Sequence, residues 1–356
     1  MKKNDIGILT WHYYYNFGSA LQTYASESVI SRIGNCEIIN YRNPELYSIS
    51  PLSEFAHYII SVTVGKIINR FYYPYMEFQR KHFNQTKLLK SKSEVVEYTK
   101  KYRTIVCGSD QIWAPSVLND IYLLDGVDSH KVNKVSYAAS FGINSIPDDL
   151  KGVYKKALSD YSHISVREEK GKELLSNIFN INSTVVLDPT LLLDSKTYEK
   201  LIKPCKIKKG YVFCYFLSEN DSYYDRLKQY EEDKVLVGYA ASKGKFDVTL
   251  NNIGPGEFLW LIKNADTIIT DSYHGMIFSL IFHKDFYVYE RFSSKDVNNQ
   301  NSRIETLMAL LSLYDRIVPF DAMSIQTASD INYRNVDIIL EENRKKSLLF
   351  LREAIK

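Results

Sequence analysis

Short apolar runs, each closed by a polar corner and followed by a stretch with helical spacing, recur along this chain. Runs that short and that apolar are predicted to be strands, and their alternation with helices predicts a parallel sheet covered on both faces. The best-defined unit spans residues 265–280. Residues 267–269 read as a strand, Thr270-Asp271-Ser272 as a polar corner with helix-capping side chains, and 276–282 as a helix. His274 is thereby placed at the first turn of a helix, just past the carboxyl end of a strand. Open α/β sheets bind ligands at that end, and a helix start offers free N–H groups and a positive dipole to an anion. A titratable imidazole beside an anion is a start for acid–base chemistry. A lone His at a helix start also serves as a cap or a packing residue, and this segment alone leaves both readings open.

The same unit organises the rest of the chain. Strands are predicted at 6–10, 36–40, 104–107, 134–139, 164–166 and 184–187, with helices at 19–30, where Ser19 is expected to cap, and at 147–160. A Lys-rich link at 204–210 lacks apolar periodicity and is predicted as the domain boundary. A second series follows, with strands at 211–217, 235–239 and 286–289 and helices at 221–231 and 255–263, and residues 337–355 read as one long amphipathic helix. The expected division is therefore 1–203, 204–335 and a terminal helix over 336–356. A length of 356 residues suits two such domains.

Composition narrows the function classes. With 45 basic and 42 acidic residues the net charge of +3 is too balanced to argue for nucleic acid. Cys36, Cys107, Cys205 and Cys214 form no CxxC pair and read as reduced structural thiols, and no metal-ligand cluster is visible. No signal peptide and no membrane-spanning apolar run is legible, so a cytoplasmic protein is expected. Residues 57–83 fit neither series. They are aromatic and carry Lys66, Arg70, Arg80 and Lys81 against one acid, Glu77. That pattern suits an interfacial helix in peripheral contact with the inner face of an anionic membrane, and equally a helical excursion packed on the first domain.

Three motifs sit at predicted strand ends. Asn16-Phe17-Gly18-Ser19 lets the backbone turn tightly at Gly18 but is no dinucleotide fingerprint. Gly108-Ser109-Asp110-Gln111-Ile112-Trp113 offers a hydroxyl, a carboxylate, an amide and a ring, a set that suits sugars. The third is the His274 corner. With Ser136-Tyr137-Ala138-Ala139-Ser140-Phe141-Gly142, Val166-Arg167-Glu168-Glu169, Asp188-Pro189-Thr190 and Asn301-Ser302-Arg303 in order along the chain, the sequence resembles the polysaccharide pyruvyl transferase family.

The resemblance implies two Rossmann-like domains facing a cleft, a GT-B-like architecture whose C-terminal helix returns to the first domain. It implies transfer of the enolpyruvyl group of phosphoenolpyruvate, a co-substrate, onto a lipid-linked or nucleotide-linked sugar, with no further cofactor and no metal. The pathway would be synthesis of a capsular, extracellular or cell-wall polymer. In that frame His274 is the expected acid and Asp271 the residue that holds or charges its ring. Arg167 matches the family's Arg and is expected on an anionic donor group, together with Ser272, Tyr273, Gly275, Asn301, Ser302 and Arg303. Asn16, Gly18, Ser109, Asp110, Gln111 and Trp113 are expected on the acceptor, with Trp11, His12 and Tyr14 as further contacts and Asp110 as a candidate base. One departure stands out. Better-known members carry an Arg two residues before the His, and here that position is Ser272. Arg291, Arg303 or Lys295 would then supply the charge, or the donor differs. A nucleotide-sugar glycosyltransferase on the same scaffold and a non-catalytic member of an assembly complex are the alternatives.

Overall fold

A computed structural model describes residues 5–13, 15–42, 73–218, 220–231, 234–239, 246–293, 295–296 and 299–355. The first sheet holds β1 (Ile6–Leu9), β2 (Cys36–Ile38), β3 (Thr104–Cys107), β4 (Asn133–Ala139), β5 (His163–Val166) and β6 (Thr184–Val185). Its order is β2-β1-β3-β4-β5-β6, with every pair parallel. Ile6, Ile8, Ile105, Val106 and Val135 are all buried, as strands covered on both faces require. The covering helices are α1 (Phe17–Ile30), α2 (Tyr73–His82), α3 (Lys92–Thr99), α4 (Asp148–Leu158), α5 (Glu169–Phe179) and the short α6 (Ser195–Glu199).

The second sheet holds β7 (Tyr211–Tyr215), β8 (Val235–Tyr239), β9 (Val248–Leu250), β10 (Thr267–Thr270), β11 (Asp285–Tyr289) and β12 (Ile317–Val318). Its order is β12-β11-β10-β7-β8-β9, again all parallel. Helices α7 (Asp221–Glu231), α8 (Pro255–Asn264), α9 (Tyr273–Ile281) and α10 (Ser302–Leu311) cover it. The chain then enters α11 (Tyr333–Ile355), which starts by the second sheet and ends on the first. Near its start, His283 stacks on Tyr333 at 4.5 Å and bonds Asp337. Near its end, Asn133 Nδ2 donates to Ala354 O at 2.8 Å, and Ser347 Oγ accepts the Leu187 N–H at 3.0 Å.

One apolar core runs through both sheets. At the junction Phe17 stacks on Phe258 at 4.6 Å and on Tyr75 at 5.2 Å, with Tyr215 and Tyr239 against it at steeper angles. Tyr75 belongs to α2, the described part of the basic aromatic segment. There Tyr75 and Phe78 are buried and Glu77 pairs with Lys203 at 2.6 Å, so α2 is a packed helix between the domains. Residues 57–72 of that segment lie outside the described residues. No described helix is long and apolar enough to cross a membrane. The first helix starts two residues before the predicted position. Asn16 caps it, its Oδ1 accepting the Ser19 N–H at 3.1 Å, and this frees the Ser19 hydroxyl for another partner.

Candidate active site

The His274 corner is built by Thr270, Ser272 and Gly275. Thr270 Oγ1 donates to Tyr215 O and accepts the Ser272 N–H, which ties the end of β10 to the corner. Ser272 Oγ caps α9 by accepting the Gly275 N–H at 3.3 Å. A Cβ on Gly275 would lie 2.6 Å from Thr270 Oγ1, so the corner closes only around a residue without a side chain. His274 then sits in the first turn of α9 and is 7% exposed.

Four corners of the first sheet, after β1, β3, β5 and β6, meet it. Arg167, after β5, reaches Asp188 Oδ2 at 3.0 Å through Nη1 and Asp110 Oδ1 at 3.3 Å through Nη2. Ser19 Oγ donates to Asp110 Oδ2 at 2.7 Å. Asp188 accepts from Ser109 Oγ at 3.1 Å, from the Thr190 N–H at 3.0 Å and from Thr190 Oγ1 at 2.6 Å. Burial alone would push both carboxyls up. The charges of Arg167 and His274 and these hydroxyl donors override it, and both carboxylates are held below their usual range. His274 Nε2 faces Asp188 Oδ2 at 3.7 Å, beyond a hydrogen bond but close enough for charge to act. On the second-domain side the Tyr273 ring lies under both Arg167, at 4.7 Å, and Arg303, at 5.7 Å.

Arg303 differs from Arg167 in its company. It is the second residue of α10, it is buried, and its Nε donates to Gln300 O at 3.4 Å. No carboxylate lies within 4.0 Å of it among the described residues. Burial, with Arg167 nearby, pushes it down to about 10. The N-terminus of α10 has no side-chain cap. Arg167 Nε, His274 Nε2 and Ser302 Oγ are buried without a hydrogen-bond partner among the described residues. Such atoms are rare in folded chains and mark a place that takes polar groups from elsewhere. A cavity of about 280 Å³ opens against Arg167, Asp188 and Tyr273 between α10 and α11, a size that suits a small ligand.

The geometry corrects several expectations. Asp271 does not hold the imidazole. Its carboxylate accepts the N–H groups of Leu217 and Ser218 at 2.6 and 2.9 Å and faces Arg291 at 3.7 Å, so it organises the loop after β7. Arg167 meets anions, but they are the chain's own Asp110 and Asp188. Trp113 is fully buried, its Nε1 donating to Tyr122 O, and stands in the core of the first domain. His12 is likewise buried, and Tyr14 lies outside the described residues. Asn301 Nδ2 is spent on Phe292 O, and Arg291 Nε on Ser218 Oγ. Lys295 is exposed. Gln111 does stand at the cleft, where its Nε2 donates to Gln300 Oε1 across the domains at 3.0 Å. Two carboxylates gained a place without a sequence-based role. Asp188 is the anion nearest His274, and Glu168 is buried beside Arg167, its Oε1 accepting the Phe141 N–H at 3.0 Å. The Asp-Pro-Thr motif and the paired Glu168-Glu169 were the available signals.

A profile of the polysaccharide pyruvyl transferase family matches residues 16–293, which include every corner that meets at His274. The chain belongs to the polysaccharide pyruvyl transferase family. It is accordingly a transferase, and within this pyruvyl transferase Arg303 and α11 lie beyond the matched residues. No curated protein matches the sequence. Among solved structures, a protein from Listeria monocytogenes provisionally described as a UDP-N-acetylglucosamine 2-epimerase superposes with a TM-score of 0.51 at 10% identity, over 99% of this chain and 91% of that one. A UDP-GlcNAc 2-epimerase from Methanocaldococcus jannaschii gives 0.49 at 12%, over 95% and 99%. One from Neisseria meningitidis bound to UDP-GlcNAc gives 0.49 at 10%, over 97% and 93%. At such identity the likeness to the Listeria protein is one of fold, two Rossmann-like domains in the GT-B arrangement.

Proposed function

We propose that this pyruvyl transferase moves the enolpyruvyl group of phosphoenolpyruvate onto a sugar, closing a pyruvate ketal over two hydroxyls of one hexose. The observation that carries the reading is Arg303, a buried guanidinium with no carboxylate within 4.0 Å among the described residues, at an uncapped helix start over the Tyr273 ring. Glu168 and Asp110 act on Arg303 only from beyond ion-pair distance, burial still disfavours its charge, and an anionic ligand in direct contact would reduce that penalty. Arg303 thereby supplies the charge that Ser272 lacks. In this reading one anionic group of the donor rests on Arg303, Ser302 Oγ and the N–H groups of α10, and the other meets the first N–H groups of α9.

The chemistry then balances without a metal. His274 as imidazolium gives its proton to the methylene carbon of the donor, and a sugar hydroxyl adds to the neighbouring carbon. That hydroxyl's proton passes to Asp110, which Ser19 and Arg167 keep ionised. Phosphate leaves with the electrons of its C–O bond. A second hydroxyl closes the ketal, and its proton goes to the departing phosphate. Asn16, Gln111 and Asp110 border the cleft where a lipid-linked or nucleotide-linked sugar would enter from the cytoplasm. The product would feed a capsular, extracellular or cell-wall polymer.

Thermal unfolding with phosphoenolpyruvate, UDP, GDP and CMP, each at millimolar concentration, tests the donor. A ligand at about 100 times its Kd stabilises by about 2.7 kcal/mol, a shift of a few degrees. Stabilisation by phosphoenolpyruvate, lost in Arg303→Ala, is the expected result. Stabilisation by a nucleotide instead would replace this reading with nucleotide-sugar transfer on the same fold. His274→Ala should keep the donor-induced shift and lose phosphate release.

A further inference from the structure

Gly18 and Asp188 belong to the first sheet's side, yet both face the ring of His274 from the second. A Cβ added to Gly18 would lie 2.1 Å from Nδ1, 2.5 Å from Cγ and 2.9 Å from Cβ of His274. Non-bonded carbons do not approach that closely, so the ring occupies space that a glycine alone leaves open. Gly18 is the second residue of α1 and has no positive φ that would demand glycine, so the space the ring needs is what calls for it. On the far side of the ring Asp188 Oδ2 lies 3.7 Å from Nε2. Asp188 cannot swing away, because Thr190, Ser109 and Arg167 hold both of its oxygens.

We infer that Gly18 and Asp188 are positioning residues that fix the ring of His274, so that the acid is assembled only where the two domains meet. The kinetic part rests on the proposed role of His274, and the structural part does not. Asp188 sets the ring's direction from the Nε2 side. Gly18 decides where the ring can lie. Neither residue needs to touch the donor.

Two experiments separate this inference from the proposed function. The first uses thermal unfolding and no substrate. Gly18→Ala should lower the melting temperature of the parent by a few degrees, because the new methyl group meets the ring. The same substitution in a His274→Ala background should cause no loss, or a gain, because the ring is absent and alanine suits the helix. Equal losses in both backgrounds would overturn the contact.

The second measures phosphate release. Gly18→Ala and Asp188→Asn should each lower kcat on the order of 100-fold, the size expected for a misplaced reacting group. The KM for phosphoenolpyruvate should stay within about threefold. A raised KM with parent-like kcat would overturn the positioning role. If the parent turns over no phosphoenolpyruvate, the proposed function fails and the unfolding cycle still decides on Gly18.

Discussion

His12 is held by Thr10 O at 3.1 Å and Asn40 Oδ1 at 3.0 Å inside the first domain. Burial pushes it from 6.5 to about 4 against the opposing pull of those two bonds. The folded value lies below the unfolded one, so the native ring is neutral. Its contribution to stability is whole above pH 6.5 and is lost as the pH falls towards 4. At about 1.4 kcal/mol per unit the full loss is on the order of 3 kcal/mol. Glu27 runs the other way. Burial lifts it from 4.5 to about 7, so its contribution is whole below 4.5 and is lost as the pH rises through 7. The two oppose each other in one window, and a variant is needed to separate them. Urea unfolding should show the parent's advantage over His12→Gln shrinking between pH 7 and pH 5. An unchanged advantage would mean the ring does not titrate as its burial requires. Single residues are also where the sequence was hardest to read. Asp271 is three positions from His274 and looked like its partner, whereas Asp188 is 86 positions away in the chain and holds that place. Spacing along one helix start cannot show which carboxylate another sheet delivers.

Elements were far more legible, because their periods are local. The apolar runs that became β1, β3, β4, β7, β8, β10 and β11 were each visible as strands. β9 and β12 are three and two residues long, too short to carry a pattern. Helix α10 did carry one, with Ile304, Leu307, Met308 and Leu311 buried at helical spacing, but its start among Asn and Gln reads as loop. Helix α11 was legible as amphipathic, yet one of its docking contacts, a hydroxyl, was not. Ser347 Oγ accepts the buried Leu187 N–H and donates to Asn343 O. Ser347→Ala should cost about 1–3 kcal/mol by leaving that N–H unpaired, measured by chemical denaturation at pH 7. A neutral Ser347→Ala would mean that α11 docks without help from this bond.

At the scale of the molecule, the alternation of strand and helix made the two-sheet plan legible, and the corner motifs carried the family resemblance. How the sheets face each other was not legible, since Phe17 gives no sign in sequence that it will stack on Phe258 and Tyr75. That stack sits in a core shared by both sheets. Phe17→Ala should cost about 3–5 kcal/mol and lower a single calorimetric transition. Two separate transitions in the parent would show that the sheets unfold independently. The shared core also bears on the order in which the chain is made, since domains form from the N-terminus during synthesis. Arg167, Asp110 and Asp188 all lie ahead of the second sheet, so the half-made chain already holds one guanidinium against two carboxylates. What it cannot yet do is cap Leu187 or fill the gap above Gly18. Those wait for Ser347 and His274, so the nascent first domain holds an acidic, unfinished socket until the rest of the chain arrives to close it.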